Sequence, residues 1–160
     1  VARYSQKGIL RTWFCPTVAA ASGIPTATEV NAGTELTPEL AEISGFTFAN
    51  DPIKVPVMKD SFDAQIPGTD NTDASSMGFW EHKAPVTNPI KTALVKNTNG
   101  FVVIFYSGTA GAAAALGDKC ENWPVTVSSV ARRYTAANEA AMYTVTFAMT
   151  KPPTVDVAIT

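Results

Sequence analysis

A mainly β chain of α+β class, a single-domain antiparallel β-sandwich or barrel with one short flanking α-helix, is predicted by three observations. Residues 100–106, Gly-Phe-Val-Val-Ile-Phe-Tyr, are a nearly continuous apolar run bounded by Asn99-Gly100 and Ser107-Gly108, the pattern of a strand buried on both faces. Residues 141–149 alternate, with Ala141, Tyr143, Val145, Phe147 and Met149 on one face and Met142, Thr144, Thr146 and Ala148 on the other. A helix would mix these sets around its circumference, whereas a period of two makes a strand with one bulky face and one small or hydroxylated face. Between them, Trp123, Val125 and Val127 hold an odd apolar phase that breaks at Ser128-Ser129 and resumes on Val130 and Tyr134. A two-fold period changes phase only by inserting a residue, so a bulge or bend is expected at those serines, with residues 132–140 as the following connection.

From the N-terminus, residues 1–7 are polar and read as an arm that orders against a neighbour. Residues 9–15 form the first strand, with Ile9, Arg11, Trp13 and Cys15 opposed to Leu10, Thr12 and Phe14. Apolar bulk on both sides calls for a two-sided core or a subunit contact. Pro16 ends it, and the Ala-, Thr-, Ser- and Gly-rich run to Gly33 reads as loop. Thr37, Pro38 and Glu39 carry a helix-start signal, with one or two turns of room before Gly45. Residues 45–49 and 53–57 read as two short strands, the second an edge or bulged at Pro56. Residues 59–73, with Asp60, Asp63, Asp70 and Asp73 around Ile66-Pro67-Gly68, read as an exposed, mobile loop. Residues 74–81 return to strand. A helix over about 89–96 has Asn88 as its cap, Pro89 at its first position and Ile90, Ala93 and Leu94 as its stripe. Residues 109–116, with four consecutive alanines, read as a flexible connection.

The 160 residues are 46% hydrophobic, enough for one core, and one domain over 1–160 is expected. Only 16% are charged, which suits a surface that is buried by association. The net charge of -2 and the lack of a basic stripe disfavour a protein that grips phosphate backbones. No run approaches a membrane span, and the N-terminal residues lack a signal-peptide core, so synthesis and use in the cytosol are expected. Cys15 and Cys120 are then expected to be free thiols on strands.

Candidate chemistry is sparse. His82 is the sole histidine, and no nucleophile motif accompanies it. A zinc site would need Cys15, Cys120 and His82 to converge without paired-ligand spacing. Asp70-Asn-Thr-Asp73 departs from the calcium-loop pattern at Thr72 and lacks its distal Glu. Arg132-Arg133 reads as a solvated or salt-bridging pair. Trp13-Phe14 and Phe79-Trp80 read as core or interface anchors rather than a sugar platform. No catalytic residue, cofactor or metal is assigned.

Several segments in order resemble the major tail proteins, or tail tube proteins, of long-tailed, non-contractile bacteriophages. They are Gly33-Thr-Glu-Leu-Thr-Pro-Glu-Leu leading to Ile43-Ser-Gly-Phe, Gln65-Ile-Pro-Gly followed by Asp73-Ala-Ser-Ser-Met-Gly-Phe-Trp, the short helix before Gly100-Phe-Val-Val-Ile, and Trp123-Pro-Val-Thr-Val with Asn138-Glu-Ala-Ala and the closing strand to Pro152-Pro153. The resemblance covers roughly residues 30–155 and rests on the order of weak motifs. It implies a β fold of the tail-tube type and a non-enzymatic virion protein, assembled in the host cytoplasm, that forms hexameric rings stacked into a tube. Its implied partners are further copies of itself, a tape measure protein, a tail terminator and a distal tail protein. Double-stranded DNA would pass through without specific binding, and no membrane insertion is implied. Thr144 and Thr146 are expected to face the lumen. Lys59, Asp60, Asp63, Ile66, Asp70 and Asp73 are expected to form the ring-stacking interface, with the aspartates finding donors only after assembly. Competing readings are a tail terminator, a capsid decoration protein or a β-sandwich carbohydrate-binding module.

Overall fold

Strand β8 (Lys119–Arg133) ties the molecule together, because each half of it pairs with different neighbours. The structure is a computed structural model that describes residues 3–59 and 61–160. The first half of β8 pairs antiparallel with β7 (Asn99–Phe105) on one edge and with β10 (Thr154–Ala158) on the other. Its second half pairs with β9 (Met142–Met149), and the register shifts between Val127 and Ser129, where the bulge was expected. Ser128 Oγ donates to the Thr146 carbonyl at 2.9 Å across this step. The extra residue lets Val125, Val127 and then Val130 stay on the core side despite the change of phase.

The eight-stranded sheet runs β2-β1-β7-β8-β9-β6-β3, with β10 beside β8. Here β1 is Arg11–Cys15, β2 Thr34–Glu35, β3 Leu40–Ser44 and β6 Ser75–Trp80. It curls around one apolar cluster that includes Phe14, Phe79, Trp123, Tyr143, Val145 and Phe147. Helix α2 (Pro89–Ala93) closes that cluster with Ile90 and, just past its end, Leu94. Asn88 caps the helix as expected, its Oδ1 accepting from the Ile90 and Lys91 amides. A second cluster on the outer face joins Trp13, Cys15, Val103, Phe105 and Cys120 to Val30 and Ile159. β1 and β7 are therefore buried on both faces, which answers the double apolar phase of their sequences. Burying each large side chain contributes about 1.5–3 kcal/mol, so both clusters are needed to hold the sheet.

Four expectations are corrected. Residues 27–32, read as loop, form α1 (Ala27–Ala32), started by a reciprocal capping box between Thr26 and Glu29. The turn at Thr37–Glu39 is a single 3-10 turn without a side-chain cap, and Thr37 Oγ1 instead accepts from the Thr12 amide at 2.9 Å. The two short strands are one strand, β4 (Phe48–Val55). The loop over 59–73 is largely strand β5 (Ala64–Thr72), paired antiparallel with β4 in a separate two-stranded sheet. The connection over 109–116 is irregular, as expected, but it is tied down. Asp118 accepts from the Ala110 and Ala115 amides, and Asn31 exchanges two hydrogen bonds with buried Ala114.

Candidate assembly surfaces

Two surfaces of the subunit are built but left uncovered by its described residues. The first is the outer face of β3, β6, β9 and the distal half of β8. Directly opposed residues of antiparallel strands share a face. The registers therefore line up Glu42, Gly78, Thr144 and Ala131 in one row, and Ser44, Ser76, Thr146 and Ser129 in the next. On the other side of the same strands, Tyr143, Val145 and Phe147 are buried in the inner cluster, and Tyr143 stacks on Phe79 at 5.5 Å between centroids. No residue of β3, β6 or β9 belongs to the outer cluster, so among the described residues no apolar layer covers the threonine face. The side chains of these two rows are small apart from Glu42, which lies across Gly78, where an added Cβ would come within 2.7 Å of the Glu42 Cγ, and a further row at the end of the face joins exposed Trp80 to Met142. Arg133 stands at its end beside Met142.

Both lateral edges of this four-stranded region are open among the described residues. β3 pairs only with β6. β7 leaves β8 at Thr126, whereas β9 follows it to Arg133.

The second surface is the β4–β5 hairpin, an arm in which every residue of β4 is exposed. Its base is a fixed hinge. Gly45 and Phe46 both take positive φ, 80° and 55°, and the Phe46 amide donates to buried Ser75 Oγ at 2.8 Å. The Phe46 ring packs edge-on against Trp123 at 5.6 Å, which plugs the end of the core and directs the arm outward. Midway along the arm the register shifts between Asp51 and Ile53, so that Pro67 and Gly68 together oppose Pro52. Only glycine fits at 68, because a Cβ there would lie 2.1 Å from the Asp51 carbonyl oxygen. The Asn50 amide closes the bulge by accepting from the Gly68 N–H and donating to its carbonyl, each at 3.0 Å. Beyond the bulge, Ile53 faces Ile66 and Val55 faces Ala64. Ile53 and Ile66 are 54% and 51% exposed, and Met58 and Phe62 at the tip are 108% and 78% exposed.

The residues expected at the stacking interface are thus spread along the arm. Lys59 and Asp63 lie near its tip and Ile66 on its apolar face, while Asp60 lies outside the described residues. Asp70 and Asp73 do not wait for a partner: Asp70 accepts from Asn50 Nδ2 at 2.7 Å, and Asp73 accepts from Thr47 Oγ1 at 3.2 Å at the hinge. Sequence reasoning missed that residues 48–55 and 64–72 are one structure. The signal was present in the apolar Ile53, Val55 and Ile66, which have no core to enter.

The chemically suggestive residues are dispersed. His82 Nε2 contacts Glu39 Oε1 at 2.8 Å, linking the chain after β6 to the 3-10 turn. Cys15 and Cys120 are buried free thiols of the outer cluster, away from His82, and burial pushes each thiol up to about 12. Glu81 pairs with Lys91 and Arg132, and the Lys91 hydrogen bond leads in holding its carboxyl below the usual range. Arg133 reaches Glu139 at 3.9 Å. The aromatic pairs are split, with Trp13 and Phe14 in different clusters and Phe79 buried beside half-exposed Trp80. Asp70 to Asp73 run along and off a strand.

No match is found among curated proteins. Similar solved structures include the sheath/tube terminator of an extracellular contractile injection system, PVC, in its extended state, with 12% identity, coverage of 96% of this chain and 97% of that one, and a TM-score of 0.65. The 6-fold symmetrised baseplate of the anti-feeding prophage gives 7% identity, 97% coverage of each chain and 0.60. The tail of an empty GTA particle, refined with C6 symmetry, gives 8% identity, coverage of 98% of this chain and 100% of that one, and 0.53. At these identities the likeness speaks for the fold alone. Residues 1–160 match the model of a family described as phage tail tube protein, and the chain therefore belongs to that family.

Proposed function

We propose that this chain polymerises as stacked hexameric rings into the tail tube of a long-tailed phage, the conduit through which duplex DNA leaves the head. The observation that carries the reading is the uncovered face of β3, β6, β9 and β8, whose rows through Thr144 and Thr146 carry small, uncharged side chains apart from Glu42. A channel for a polyanion must neither bind nor obstruct it, and Thr144 and Thr146 present hydroxyls and methyls without positive charge. Six copies of four strands make a wall of about 24 strands. At ~4.8 Å spacing and ~40° tilt the wall is roughly 50 Å across between backbones. Side chains narrow it by about 10 Å, which still passes a duplex about 20 Å wide. The open edges of β3 and distal β8 are suited to continuing the sheet from copy to copy, and the arm to contacts between rings. The role is structural, and no side chain is assigned a catalytic part.

Within the virion the tube would meet a tape measure protein in its lumen, a tail terminator at one end and a distal tail protein at the other, after assembly in the host cytoplasm. The non-contractile assignment follows the sequence resemblance, since the fold is also that of parts of contractile systems. A second reading, a tail terminator, is favoured by the fold likeness to a sheath/tube terminator. Electron micrographs of the concentrated protein separate the two. Tubes that lengthen with concentration and show six-fold ends support the tube reading, whereas single rings that never stack support the terminator. Particles isolated with an outer sheath would overturn the non-contractile assignment.

A further inference from the structure

We propose that Arg133 of one copy pairs with Glu42 of the next across the seam of the ring and so fixes the register in which neighbouring copies join, an inference that rests on the tail tube reading. The residues that the strand registers place on the threonine face are uncharged, with two exceptions. Glu42 lies on β3, at one lateral edge of the wall, and Arg133 lies at the end of distal β8, at the other. Both are exposed. Both are also poorly matched within their own chain. Arg133 has Glu139 at 3.9 Å on an exposed connection, while Arg132 meets Glu81. Glu42 makes no ion pair among the described residues. In the groove behind it Arg11 pairs with Glu35, and Lys7 and Glu121 are of opposite sign, so the groove supplies no net countercharge.

Barrel geometry brings the two charges together. β3 and distal β8 run in opposite directions, so copies related by rotation join as an antiparallel pair. A wall of about 24 strands tilted by about 35–40° steps by roughly four to five residues at each seam, and only an even step keeps one face toward the lumen, which leaves about four. Its direction follows from chain chirality. The Glu81 amide donates to the Ala141 carbonyl, so the core-facing residues of β6 turn their backbone groups toward β9. For L-residues this puts β9 to the right of an upward β6 seen from the core side. The right-handed tilt of barrel strands then moves each row toward the C-terminal end of the next β3. Arg133, which without a step would face Leu40, falls opposite Ser44 of the next copy. Glu42 is then its diagonal neighbour on the same face, about 7–8 Å away and within reach of a long side chain. The pairing also leaves the channel wall without net charge, which suits the passage of a polyanion.

Charge reversal tests the pairing, with the thermal midpoint of each free subunit as the check on folding. One surface ion pair is worth little, but reversal sets like charges together at every seam of every ring. Glu42→Arg and Arg133→Glu should each lower the tube yield about tenfold, and the two together should restore it. Glu139→Gln should leave the yield unchanged. Single variants that assemble like the parent, or a double variant worse than either, would overturn the pairing while leaving the tube reading intact. Wild-type protein that forms no tubes would count against the tube reading itself. Should a reversed subunit fail to fold, Glu42→Cys combined with Arg133→Cys decides. Treated with a short bis-maleimide, its tubes should yield covalent multimers that stop at the size of one ring, and neither single variant should. Buried Cys15 and Cys120 keep the background low. Monomers alone, or products longer than one ring, would overturn the seam contact.

Discussion

Thr146 and Val145 are neighbours in sequence, yet the sheet gives them opposite environments. Val145 is fully buried in the inner cluster, opposite Met77 and Val130, while Thr146 faces outward in a row of serines. Val145→Asp would bury an unpaired carboxylate at a cost of about 3–5 kcal/mol, and soluble folded protein should be lost. Thr146→Lys should leave the thermal midpoint of the subunit within a few degrees of the parent but slow DNA passage through tubes that carry it. Equal loss of soluble protein in both variants would mean that the faces are misassigned. The buried thiols give a second test at this scale. With Cys15 and Cys120 pushed up to about 12 by burial, a thiol reagent at pH 8 should label neither until the protein unfolds. A thiol pKa raised in the folded state contributes stability that is complete below the unfolded value near 9 and is lost as pH rises through about 12. Denaturant midpoints should therefore decline across that window, and Cys15→Ser should flatten part of the decline.

At the scale of elements, the arm matters most. Replacing residues 48–72 with a short turn should leave a folded subunit, because the inner cluster draws nothing from β4 or β5, but should suppress tube formation. Amide exchange should report residues 48–72 as poorly protected in the free subunit and protected in the tube. Equal protection in both states would remove the arm from the interface. Much of the fold was legible in sequence where side chains meet the core. The two-sided β7, the alternating β9, the bulge at the serines and the Asn88 cap all follow from packing or capping that a short window records. β5 was not legible, because Ala64, Gln65, Pro67, Gly68, Asp70 and Asn71 are poor strand formers with no core face. Its extended state comes from the ladder with β4, whose register runs from Val55↔Ala64 to Phe48↔Thr72, and from Asn50 filling the bulge. α1 was legible in principle, since Thr26 and Glu29 stand at capping-box spacing, but its short apolar stripe reduces to Val30. The threonine face was read from alternation alone. The apolar side of the arm required knowing that Ile53 and Ile66 are opposite one another.

At the scale of the whole molecule, the low charge and the two uncovered surfaces describe a subunit that is finished only in company. On the proposed tube reading, one edge of the wall would end at β3 and the other at distal β8, and a ring would close without either strand changing partners. A net charge of -2 over 160 residues offers little resistance to such association. The central claim, that the face of Thr144 and Thr146 lines a channel, is tested most directly by helical reconstruction of the assembled tube. The predicted result is a continuous inner wall roughly 50 Å across between backbones, built from β3, β6, β9 and β8, with both threonines pointing into the lumen. A tube whose lumen is lined instead by α1 and the strands around Cys15 and Cys120, with Thr144 and Thr146 on the outside, would contradict it.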